Sequence, residues 1–137
     1  MPQSSAKIRC VILTPQAPIM EDVAYDVVLP IHDGLLGVLP GHAPLLCNLG
    51  TGLLTYHNKD MLRRTYYIEG GFGHIRDNEV VIMTDQAISS ADISEADAEE
   101  RLLEARSMPM DTLEEVDARS AAMRQAQQLI SLSKGGF

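Results

Sequence analysis

Four histidines, His32, His42, His57 and His74, together with Cys47 and Asp33, are the side chains here that could assemble a zinc site. No pair of them stands at local ligand spacing, and His32-Asp33 and His42 fall on separate corners of the chain, so no metal is expected. His42, within Pro40-Gly41-His42-Ala43-Pro44, reads as a turn histidine bonded to backbone or as one that meets a partner protein. Asp33 before Gly34 reads equally as a turn former or a partner contact. A phosphate loop is the second chemistry to weigh, at Gly70-Gly71-Phe72-Gly73-His74-Ile75-Arg76. That run lacks the third glycine of a dinucleotide fingerprint and leads toward a strand, so the helix N-terminus that would hold phosphate is missing. A bulge or tight strand crossing is the expected use of those glycines. The acidic pairs Glu99-Glu100 and Glu114-Glu115 belong to solvated helix faces. Nucleophile-elbow, zincin, Walker A and EF-hand patterns are absent, so neither an enzyme nor a cofactor is expected.

The segment that does stand out is Ile31–Gly52, IHDGLLGVLPGHAPLLCNLGTG, with five glycines, two prolines and two histidines among leucines. Such punctuation predicts two or three sharp corners. Leu35-Leu36, Val38-Leu39 and Leu45-Leu46 between them are too apolar for a passive loop, which points to a surface loop that docks onto something. The rival reading is a free-standing ligand- or metal-binding sandwich using this loop and Gly70–Arg76, and stoichiometric zinc in purified protein would favour it.

The chain has 137 residues, enough for one domain with an appendage, and 45% hydrophobic content with only 4% aromatics predicts an aliphatic core. A net charge of −8 without a basic patch argues against nucleic acid and acidic membranes as partners. Cys10 and Cys47 read as free thiols in a reducing compartment. The start, MPQSSAKIRC, lacks the apolar core of a signal peptide, and no apolar run approaches the ~18 residues of a membrane span. A cytoplasmic protein that meets a membrane only through a partner is the expectation.

Two periodicities divide the chain. Up to about residue 88 the pattern is β: Lys7–Leu13 and Val23–Leu29 alternate, Leu53–Tyr56 and Arg64–Ile68 flank a turn at His57–Asp60, and Gly73–Arg76 and Glu79–Thr84 flank Asp77-Asn78. Short strands at this spacing predict an antiparallel sandwich or flattened barrel. Beyond Ser89 the period becomes helical. Asp92–Glu95 and Ser94–Asp97 are capping-box starts, Ala98, Leu102 and Ala105 recur until Pro109, and Thr112–Glu115 opens a second helix. Its predicted stripe is Leu113, Val116, Ser120, Met123, Ala126/Gln127 and Ile130, ending before Gly135-Gly136. The division expected is a β domain over residues 1–90 and a helical hairpin over 91–137. The hairpin's seam is rich in alanine, and helices of such length are marginal alone, so the arm is a candidate for detachment and rebinding.

Asp33-Gly34-x-x-Gly37-Val38-Leu39-Pro40-Gly41-His42-Ala43-Pro44-Leu45-Leu46, then Gly50-x-Gly52, then Ile68-Glu69-Gly70-Gly71-Phe72, resembles the epsilon subunit family of F-type ATP synthases. Thr14-Pro15, the Val80–Ala87 strand and the terminal hairpin extend the likeness over nearly the whole chain in the family's order. The resemblance implies an N-terminal sandwich of about ten strands and two C-terminal helices. It implies a central-stalk rotor subunit on the cytoplasmic face of the cell inner membrane, bound to the gamma subunit and the c ring, that couples proton-driven rotation to the alpha/beta catalytic head. It further implies that the helices can extend into the head and inhibit ATP hydrolysis. By position, Asp33, Leu35 and Leu36 map to the c-ring contact, His42 and Pro44 to the gamma contact, and Arg119 and Arg124 to the inhibitory helix. Relatives often carry an acidic residue where this chain has Leu35, which leaves a more apolar contact here.

Some bacterial relatives bind ATP at the hairpin through Ile/Leu-Asp, two arbitrary residues, then Arg-Ala. Here Ile93-Ser94-Glu95-Ala96-Asp97-Ala98 places Ser94 for the aspartate and Asp97 for the arginine. A carboxylate where phosphate needs a cation is repulsive, so ATP is not expected to hold this hairpin closed. Isothermal titration checks this: no sub-millimolar binding is the expected result, and a clear isotherm overturns it.

Overall fold

Residues 6–133 are described by a computed structural model. The strands are β1 (Ile8–Leu13), β2 (Pro18–Ile31), β3 (Gly34–Val38), β4 (Leu45–Asn58), β5 (Arg63–Arg76), β6 (Glu79–Met83) and β7 (Ala87–Ser89). A 3₁₀ turn at Ser90–Asp92 precedes helices α1 (Glu95–Arg106) and α2 (Leu113–Ser133). The chain divides between Ile88 and Ser89 into a β unit and a helical unit.

The sheet runs β1-β6-β5-β4-β2-β3, and β1 also pairs with β2, so five of the strands close a ring. β1 and β6 are parallel, whereas the other ring pairs are antiparallel. Alternation decides which side chains enter the ring. On β1, Ile8, Cys10 and Ile12 are buried, while Arg9 faces out and pairs with Glu21 on β2 and Glu79 on β6. The interior is aliphatic, as the scarcity of aromatics predicts, with Leu29, Leu54, Ile68, Ile75 and Ile82 wholly buried. Tyr56 also enters the core, and its hydroxyl donates to Asp22 Oδ2 at 2.9 Å. Burial pushes the Cys10 thiol up to about 12, so it stays protonated and inert.

Turn chemistry matches the backbone locally. Asp77 and Asn78 form a two-residue hairpin with φ of 51° and 60°, the left-handed pair that a type I′ turn requires. In the β4–β5 connection, Asn58 Oδ1 accepts from the amides of Asp60 (2.9 Å) and Leu62 (3.0 Å). At the start of α1, Ser94 Oγ accepts from the Asp97 amide at 3.4 Å. Thr112 and Glu115 form a reciprocal capping box at the start of α2, each side chain accepting from the other's amide at 3.1 Å.

Three features depart from the sequence reading. Among the described residues there are seven strands instead of about ten, because β2, β4 and β5 are each 14 residues long and each pairs with more than one neighbour. Pairing of β2 with β4 slips between Ala24 and Asp26 and between Val28 and Ile31, whereas β4 and β5 keep one register throughout and lack only the Gly50–Gly70 pair. The long run Ile31–Gly52 is also mostly strand, since β3 and the first half of β4 lie within it. Pro40, Gly41 and Pro44 mark its turn, Leu35-Leu36 and Val38-Leu39 alternate between solvent and interior, and Leu45 and Leu46 are both exposed. Finally, the stripe on α2 has a different phase: Ala126, Leu129 and Leu132 are buried, whereas Leu113 is 84% exposed and Val116 38%. The stop expected at Gly135-Gly136 lies outside the described residues.

Candidate interaction surface

His32 and Asp33 make the exposed two-residue turn between β2 and β3. On β3 the side chains alternate. Leu36 and Val38 face inward, with Val38 buried and Leu36 packed partly against the core. Leu35 faces outward and is 71% exposed. Of the three residues mapped to a ring contact, Asp33 and Leu35 thus lie open to a partner, and Leu36 serves mainly as their inward anchor.

Beyond β3 the chain turns through Leu39–His42, closed by the His42 amide donating to the Leu39 carbonyl at 3.1 Å. The Gly41 amide donates to Asn78 Oδ1 at 2.6 Å, which ties this turn to the β5–β6 hairpin. His42 Nδ1 lies 2.6 Å from the Ala43 carbonyl and donates to it, so the imidazole is locked to its own backbone with Nε2 left for other contacts. Pro44 is exposed beside it. Leu39 (64% exposed) and Leu46 (66%) extend the apolar surface. A groove of about 660 Å³ lined by Leu13, Phe72, Met83 and Thr84 opens on the same β unit. Sequence patterning anticipated Leu46 on this surface but missed Phe72 and Met83 as exposed positions.

The polar candidates have local uses. His57 faces Asp26 on the neighbouring strand, with Nδ1 2.9 Å from Oδ1, and its amide donates to the same oxygen at 3.1 Å. Among the described residues no three His, Cys, Asp or Glu side chains come together as a metal site. Gly70 and Gly71 take φ of 66° and 109° inside β5, where strand β6 crosses closely, and no helix follows them. On the helical unit, Arg119 reaches back through Nε and Nη2 to the Arg106 carbonyl at the end of α1, both at 3.4 Å. Arg124 is exposed. Ser94 and Asp97, at the positions where nucleotide-binding relatives need a carboxylate and a cation, are instead a helix cap and the residue whose amide it holds.

Residues 7–90 match the family model described as the ATP synthase delta/epsilon chain β-sandwich domain. The ATP synthase epsilon chain of Rhodopirellula baltica is 35% identical over 127 residues, spanning 93% of this chain and 98% of that one. That of Granulibacter bethesdensis is 34% identical over 118 residues, 85% of this chain and 87% of that one. Among solved structures, a chain of the Euglena gracilis mitochondrial ATP synthase OSCP/F1/c-ring assembly superposes with a TM-score of 0.74 at 23% identity, covering 95% of this chain and 81% of that one. A chain of the Tetrahymena thermophila mitochondrial ATP synthase central stalk and c ring gives 0.66 at 14% identity, covering 96% and 97%. These two likenesses establish a shared fold. Sequence and fold together place this chain in the ATP synthase epsilon-chain family.

Proposed function

We propose that the chain is the central-stalk rotor subunit of an F-type ATP synthase, joined to the gamma subunit and the c ring, and that it couples ring rotation to ATP synthesis in the alpha/beta head. It works by contact and catalyses no step itself. The observation that carries this reading is the match to epsilon chains along nearly the whole length. The outward face of β3 supports it. A rotor part must pass torque without deforming, and a strand ring closed by β1–β2 pairing suits that task. Asp33 and Leu35, anchored by Leu36, meet the c ring, and His42 with Pro44 meets gamma. Arg119 and Arg124 act on the head from the second helix. The protein sits peripherally on the cytoplasmic face of the cell inner membrane through these contacts; no described helix is long and apolar enough to cross a membrane.

Co-purification tests this. Tagged, folded chain is expected to retain gamma in a pull-down from cells that carry the synthase, and a chain that folds yet leaves gamma behind overturns the proposal.

A further inference from the structure

Glycine inside a strand weakens it by roughly 0.5–1 kcal/mol relative to alanine and normally has a backbone or packing reason. Seven of the eight described glycines have one. Gly34, Gly41, Gly70 and Gly71 have positive φ, and a Cβ on Gly50, Gly52 or Gly73 would come within 3.1–3.3 Å of Ile31, Pro30 or Cys47. Gly37 has neither. Its φ lies outside the left-handed region, and a Cβ there would meet nothing within 4 Å. It lies on the outward face of β3, opposite Val28, in the same alternation that exposes Leu35. Leu35 and Leu39, two residues to either side, are 71% and 64% exposed. The result is a notch floored by bare backbone between two projecting leucines.

We infer that this notch is where the partner's main chain comes closest: a loop of a c subunit seats a small, uncharged residue against Gly37, between Leu35 and Leu39. The inference rests on the proposed c-ring contact and deepens it. Charge supports the occupant's chemistry. Between Val27 and Asn58 the only formal charge is Asp33, in a chain with 30 charged side chains. A charged group crossing Gly37 would lose its water with no counter-charge on β3 to meet it, whereas an uncharged segment loses little. A cation on the partner is accommodated only at the Asp33 end. β3 also ends the strand order, so its outer side lies open among the described residues.

The test is Gly37→Val in the full-length chain, with binding to purified c ring in detergent and to gamma measured separately. The expected result is an unchanged or higher Tm, unchanged gamma affinity, and c-ring affinity reduced by about tenfold or more. Gly37→Ala should show a smaller loss in the same direction, and it replaces the valine variant if that folds poorly. If Leu35→Ala weakens ring binding while both Gly37 variants bind normally, the close approach is wrong and the c-ring contact stands. If neither position affects ring binding, the proposed ring contact falls with it.

Discussion

Gly71→Val is expected to cost the β unit about 3–5 kcal/mol, enough to unfold most of a domain whose total stability is on the order of 5–15 kcal/mol. Gly71 sits in β5 with φ of 109°, a conformation that side-chain-bearing residues rarely adopt. A Cβ there would collide with the Met83 carbonyl oxygen and lie 2.8 Å from Thr84 Cα and 2.9 Å from Met83 C. All three are backbone atoms, so no side-chain rotation relieves the clash. Strand β6 would have to move, and Thr84, whose amide donates to the Leu13 carbonyl at 3.0 Å, would move with it. The damage therefore reaches the β1–β6 pairing within the ring. Urea unfolding followed by circular dichroism checks the magnitude. Gly37→Val, in open space, is the control, and a loss below about 1 kcal/mol at Gly71 would mean β6 has more freedom than its pairing indicates.

Much of this architecture was legible because the signals were local. Asp77-Asn78 announces its hairpin, since those two side chains tolerate the left-handed backbone a tight turn demands. Thr112–Glu115 announces the start of α2 because both halves of the capping box lie within four residues. Gly70-Gly71 was readable as a tight crossing from the missing helix after it. What failed depended on distant partners. Glycines and prolines in Ile31–Gly52 look like loop punctuation, yet β3 is held by β2 and β4 by β5, pairings that no window of sequence contains. On α2, two helical phases share Ala126, and tertiary packing, not the pattern within the helix, selects the one that buries Leu129 and Leu132. At the interaction surface, the Asp33 turn and Leu35 could be located from their motif. The notch at Gly37 could not, because it is defined by an absence of neighbours.

Deleting residues 91–137 is expected to leave binding to gamma intact and to raise ATP hydrolysis by the assembled synthase severalfold. The core cluster of the β unit runs from Ile8 to Ile82, with Ala87 the last residue packed against it, so the truncated chain keeps the whole of its core. The hairpin is built differently. Its buried positions are three alanines, Ala98, Ala105 and Ala126, and two leucines, Leu129 and Leu132. Each leucine is worth about 1.5–3 kcal/mol when buried, and alanine far less. A 12-residue helix such as α1 is marginal by itself. The Arg119 bonds to the Arg106 carbonyl, at 3.4 Å and partly in water, add little. At the other extreme, Leu103, Met110 and Leu113 are more than half exposed and gain less from the closed hairpin than the buried leucines do. For inhibition, burying Leu113 and pairing Arg119 and Arg124 on the head, once the hairpin opens, must offset the lost seam. Hydrolysis unchanged by the deletion removes the inhibitory role and leaves the coupling role standing. Loss of gamma binding on deletion would instead show that the helices belong to the stalk contact itself.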